Sequence, residues 1–320
     1  MYISKRLSYI DTGSGILICW MIVYHIFQWA HLQHCNVYDH LMNWLCFFMP
    51  WFFFKSGMLS NNFNDIRKDT KKGLHKFVIP FFIYSFVGQA VSSIILINDA
   101  SWSVRTLFAP FKTFLLQGSF PGNLPLWFLP VIFCSKLLCS VVKNDKLMIV
   151  IGVVLGGGYC GLNIDNLCYI ITPFLGACFY SVGHILKESQ FKKEFVVISC
   201  IIFAIIVLAK PSYVDFRTIS VIKGSYLLWI ISSVAGCVCF NNIVRFLDRN
   251  LHSVFIPFRY IGENATLFFS THWIILTIGK YIWQKVDISD NMQIYFVYLI
   301  VLNVLLLPLL SASVKKLSSK

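Results

Sequence analysis

The chain has 320 residues, of which 57% are hydrophobic and 13% charged, and its mean hydropathy is +0.70. Soluble domains carry about 25% charged residues, so this composition excludes an ordinary soluble protein. The net charge of +13 does not indicate a nucleic-acid binder, because the basic residues fall between apolar runs and form no soluble basic domain.

The runs Ile16–Trp29, Phe195–Ala209, Tyr226–Phe240 and Tyr295–Leu310 are continuous and do not alternate. Lipid admits only helices or closed barrels. Barrel strands alternate, and a spanning helix needs about 20 mostly apolar residues. The expected fold is all-α: one integral membrane domain over residues 1–320, a helix bundle of about ten spans. They fall near 13–31, 41–59, 77–97, 125–142, 147–162, 168–186, 195–210, 220–243, 264–283 and 292–313. The first run is too long for a signal h-region and no small-x-small site follows it, so no cleavage is expected. No soluble domain is expected at either end.

Lys and Arg collect in every second gap, and 18 of the 27 fall on one side if both termini are cytoplasmic. That asymmetry predicts both termini inside. Most cysteines lie within apolar runs, no CxxC spacing occurs, and no disulfide framework or metal site is expected.

The first span carries Asp11, Ser14 and His25. At about 100° per residue, Ser14 and His25 differ by about 20° and Asp11 and His25 by about 40°, so the three share one stripe about 21 Å long. An ionisable group inside a span is costly. His25 suits proton abstraction from a hydroxyl, or it is held by a backbone carbonyl. In the second span Pro50 is expected to kink the helix, and Lys55 either snorkels to the interface or meets a ligand. The basic loop that follows, with Arg67, Lys68, Lys71, Lys72, His75 and Lys76, fits topology and would equally suit a polyphosphate. The longest outer loop, 98–124, holds Trp102 and several Phe residues. It reads as a functional loop or as a helix on the membrane surface. His272 lies near mid-depth of the ninth span, after Gly262-Glu-Asn264. The outer segment with His31, His34, Asp39 and His40 matches no zinc spacing and reads as solvated.

Five motifs in order resemble the acyltransferase 3 family of integral membrane acyltransferases. They are Asp11-Thr-Gly-Ser-Gly…Tyr-His25, Met49-Pro-Trp-Phe-Phe-Phe-Lys-Ser-Gly57, His75-Lys-Phe-Val-Ile-Pro80, Leu126-Trp-Phe-Leu129 and Tyr260-Ile-Gly-Glu-Asn264…Thr271-His272. The resemblance implies a ten-helix bundle moving an acyl group, usually acetyl, from cytoplasmic acyl-coenzyme A to a sugar hydroxyl on or beyond the outer face. It makes His25 the residue of transfer. Family members carry Arg or Lys where this chain has Ser14, and Lys55 is expected to supply the missing charge.

The expected function is therefore O-acylation, acetyl in the first instance and succinyl as an option, of a cell-surface or lipid-linked polysaccharide. A bacterial cytoplasmic membrane is the expected location. The expected catalytic residues are His25, Asp11 and His272. Lys55, Arg67, Lys72, Lys76 and Ser14 are expected to hold acetyl-CoA, and Trp127 and Asn264 the saccharide acceptor. Aromatic rings pack well on sugar faces. The alternative is a polysaccharide exporter or flippase, which would not need the first-helix His with cytoplasmic cations.

Overall fold

The computed structural model describes residues 7–60, 66–99, 103–162, 168–286 and 291–318. Lys5, Arg6, Trp102 and Lys320, and the side chains of Arg67, Lys68, Arg105, Lys315 and Lys316, lie outside the described set. In chain order the elements are α1 (Ser8–Trp29), α2 (Asn36–Trp44), α3 (Phe48–Met58), α4 (Ile66–Gly73), α5 (Ile79–Asn98), α6 (Val104–Gln117), α7 (Phe128–Val142), α8 (Asp145–Leu162), α9 (Cys168–Ile185), α10 (Lys193–Ala209), β1 (Tyr213–Asp215), β2 (Ser220–Lys223), α11 (Tyr226–Asn250), α12 (Ile256–Glu263), α13 (Ala265–Val286) and α14 (Met292–Ser318).

The chain is an all-α membrane bundle. Among the described residues, seven helical segments are long and apolar enough to cross a membrane: Ser8–Trp29, Thr70–Asn98, Phe108–Val142, Asp145–Leu162, Cys168–Ile185, Tyr226–Asn250 and Met292–Ala312. Of the other segments expected to span, α10 has 17 residues and α13 has 22, the latter carrying Thr, His, Lys and Gln among its apolar residues.

Four expectations change. Residues 41–59 are not one helix but the end of α2, a turn and the 11-residue α3. Pro50 is the third residue of α3, where a missing N–H breaks no intrahelical bond, so the helix restarts ahead of it and is not kinked by it. The basic segment after α3 is no loop: α4 passes through a π-helical turn, Leu74–Val78, into α5. Residues 220–223, expected in a helix, form β2 of an antiparallel hairpin with β1.

Backbones come into contact at glycines. A Cβ on Gly15 of α1 would strike the Phe258 carbonyl of α12, and one on Gly262 of α12 would strike the Asp11 carbonyl of α1. Small residues let membrane helices approach this closely. Aromatic rings fill the centre: Trp51, Phe53, Phe54, Phe179 and Trp229 are fully buried. The hairpin plugs one end of the bundle with Tyr213, Val214, Phe216 and Ile219, all buried. Phe216 stacks on Phe53 with ring centroids 5.1 Å apart.

Candidate active site

The base of α1 is tied by a charged cluster. Ser8 Oγ and Thr12 Oγ1 donate to the Asp248 carboxylate at 2.6 and 2.7 Å, and Arg259 Nη2 pairs with the same group at 2.7 Å. Hydrogen bonds to a charged group are the strong ones. They fix α1 against α11 and the Arg259 helix, α12, and so set the direction of its polar stripe.

That stripe lines two cavities in succession. Asp11, Ser14, Ile18 and Met21 line a cavity of about 1340 Å³ at the basic end of the bundle. Met21, Tyr24, His25 and Gln28 line a second cavity of about 110 Å³ at the other end. The spacing of three to four residues is that of one helix face. Asp11 and His25 therefore share a helix face but sit in different cavities.

The larger cavity is cationic. Lys55, Lys76, Lys136, Lys187 and Arg245 line it and outnumber the acidic Asp11, Glu188 and Glu263. Lys55 Nζ donates to Ser14 Oγ at 2.9 Å, and Ser14 in turn donates to the Ile10 carbonyl at 2.7 Å. The ammonium also lies over the Trp51 and Phe52 rings, 5.0 and 5.1 Å from their centroids. A third cavity of about 350 Å³ adjoins it, shares Lys76 and Lys136, and adds Lys72.

His25 stands in the smaller cavity. Its Nδ1 lies 2.9 Å from Gln28 Oε1, and Gln28 Nε2 donates to Tyr24 Oη at 2.9 Å. An amide oxygen only accepts, so Nδ1 carries the proton and Nε2 keeps its lone pair. His272 is fully buried and stacks on His25 with centroids 5.4 Å apart. Its Nδ1 meets the Phe269 carbonyl at 2.7 Å, while its buried Nε2 has no hydrogen-bond partner among the described residues. Trp273 packs edge-on against His25 at 5.2 Å.

The hairpin closes this cavity and brings Asp215, Phe216 and Arg217 to it, opposite Pro125 and Trp127. Arg217 Nη2 donates to Gln117 Oε1 at 2.9 Å, and Asp215 Oδ1 accepts the Arg217 backbone N–H at 2.9 Å. Burial lowers the Arg217 pKa from its ordinary value and Asp215 opposes the shift; an arginine remains charged under these conditions.

Of the residues singled out in the sequence, His25 and Trp127 share the smaller cavity. Asp11, Ser14, Lys55 and Lys76 share the larger, and Lys72 lines the adjoining one. The Arg67 side chain lies outside the described residues. His272 contacts His25 but lines none of these cavities. Neither does Asn264, whose amide donates to the Tyr260 carbonyl at 2.7 Å. Gln28 escaped the sequence reading although it lies three residues beyond His25, within hydrogen-bonding reach on the same face. Asp215 and Arg217 carried no sequence signal, since only the hairpin's position brings them to His25.

A bundle of long apolar helices, with two cavities along one spanning helix, is that of an integral multi-pass membrane protein. A family profile described as an acyltransferase domain matches residues 7–312, nearly the whole chain, and the chain belongs to this acyltransferase 3 family. No curated protein and no solved structure matches it.

Proposed function

We propose that the protein transfers an acyl group, acetyl in the first instance, from cytoplasmic acyl-coenzyme A to a hydroxyl of a cell-surface or lipid-linked polysaccharide. The observation that carries this reading is the α1 stripe, which joins a cationic cavity at one end to a histidine cavity at the other. Lys76, Lys136, Lys187 and Arg245, with Lys72 beside them, suit the phosphates of coenzyme A. The pantetheine arm would run along Ser14 and Ile18 toward Met21. A saccharide would enter from the opposite side, against Trp127 and Trp273, with Asp215 and Arg217 available to its hydroxyls.

His25 Nε2 would take the acceptor proton as its oxygen attacks the thioester carbonyl. The new C–O bond forms, the C–S bond breaks, and the proton passes to the departing thiolate. Gln28 holds the imidazole in the required tautomer through Nδ1. The same lone pair could attack the thioester first, with His25 as a transient acyl carrier. His272 and Trp273 position the ring; Asp11, about 21 Å down the helix axis by its rise per residue, belongs to the donor end. The positive-inside asymmetry supports a cytoplasmic basic end, and the reading takes the membrane to be a bacterial cytoplasmic one.

The test is His25→Ala in the native host, followed by incorporation of acetyl label into envelope glycan. General-base loss costs about 10²- to 10⁴-fold, so incorporation should fall by that factor at an unchanged level of protein in the membrane. Incorporation at the wild-type rate would make His25 a packing residue.

A further inference from the structure

Three side chains line both cavities: Met21 of α1, Met49 of α3 and Phe269 of α13. They form the wall between them. The other polar residues of the α1 stripe each belong to one side: Asp11 and Ser14 to the larger cavity, Tyr24, His25 and Gln28 to the smaller. A donor anchored by the cations must therefore present its carbonyl carbon within this wall to meet a hydroxyl beside His25. The space beyond the wall is small, about 110 Å³ against about 1340 Å³ below it.

Resting on the proposed donor site, we infer that the acyl group is seated in the Met21–Met49–Phe269 wall and that these side chains gauge its length. Two of them are fixed. Met21 is 3% exposed and sits one helical turn below His25, and Phe269 is 8% exposed with its ring edge-on to Phe128 at 5.6 Å. Met49 is only partly buried. It is unbranched and turns about three bonds, so it yields to a short acyl chain without backbone movement. Each further methylene must displace packed thioether or ring, and overfilling a packed space is unfavourable.

The inference is tested on purified full-length protein in nanodiscs, by measuring dissociation constants for coenzyme A, acetyl-CoA and butyryl-CoA. In the wild type, butyryl-CoA should bind about tenfold more weakly than acetyl-CoA, which corresponds to about 1.4 kcal/mol. In Met49→Ala that gap should close, with butyryl-CoA gaining about tenfold relative to coenzyme A itself. In Met49→Phe both thioesters should weaken relative to coenzyme A. Using coenzyme A as the reference separates a wall effect from general misfolding, because misfolding weakens all three ligands together. Thioester ratios that ignore both substitutions overturn the gauge while leaving the donor site standing. A wild-type protein that binds none of the three overturns the donor site, and the gauge with it.

Discussion

Lys55 and Ser14 bring a charge from one helix to a hydroxyl of another. The ammonium donates to Ser14 Oγ at 2.9 Å, so a positive charge from α3 stands beside a hydroxyl on α1. The family resemblance leads one to expect the cation on the first helix itself. If the charge meets a phosphate or thioester oxygen, the hydrogen bond is charge-assisted, worth about 1.5–3 kcal/mol net. Lys55→Met should then weaken acyl-CoA binding by about ten- to a hundredfold, read by titration of the purified protein. Ser14→Lys added to Lys55→Met should recover part of that loss. Affinity insensitive to both changes would leave Lys55 as an interfacial residue resting on Trp51 and Phe52. At this scale the sequence was informative where helix periodicity applies. Asp11, Ser14 and His25 were placed on one stripe from angles alone, and the two cavities divide that stripe between them. It was silent where partners come from distant segments. Nothing in the order of residues puts Arg217 near His25, and the orientation of the imidazole by Gln28 became visible only with side-chain geometry.

Among the elements, α1 and α12 cross in close backbone contact, as α3 and α9 do, and the first of these crossings holds Asp11 and Ser14 in place. Gly15 and Gly262 each face a backbone carbonyl of the other helix where a Cβ has no room. Gly262→Val should push α1 away from α12, carrying Asp11 and Ser14 with it. Overpacking costs about 1–3 kcal/mol, so a lower heat-denaturation midpoint in detergent and a weaker affinity for coenzyme A are expected together. Gly158→Ala of α8 is the matching control, since nothing lies within 4 Å of the added methyl. An unchanged midpoint in Gly262→Val would mean that the two helices part without cost. Long apolar helices such as α8, α9 and α14 were legible because hydrophobicity and length decide a span. The hairpin was not, because strands of three and four residues leave too little pattern. Ser220-Val-Ile-Lys223 merged with the apolar run of α11. The division of 41–59 was hidden for a related reason: Leu45-Cys-Phe47 is as apolar as the helices on either side of the turn. Hydropathy measures what lipid or core accepts, not where the backbone changes direction.

At the scale of the whole molecule, the distribution of charge must agree with the direction of the reaction. The large cavity is bordered by five cations, Lys55, Lys76, Lys136, Lys187 and Arg245, against the acidic Asp11, Glu188 and Glu263, and the His25 cavity by Asp215 and Arg217. The first end carries the excess of cations and is the end at which coenzyme A is expected. The turn after α1 and the turn after α7 lie at opposite ends, since α1 ends beyond His25 and α7 runs from Trp127 past Lys136. An epitope inserted after Gln33, in the first turn, should be reached by antibody on intact spheroplasts. One inserted between Lys143 and Asn144 should be reached only after the membrane is permeabilised. Segments rich in Lys and Arg stay on the cytoplasmic side because moving them outward is opposed by charge and potential. The reverse pattern would put the cationic cavity outside the cell, away from any coenzyme A. It would sink the assignment of donor and acceptor ends, though not the membership of an acyltransferase family, which rests on residues 7–312. The two insertions must also retain glycan acylation, because only an active protein reports the orientation in which transfer occurs.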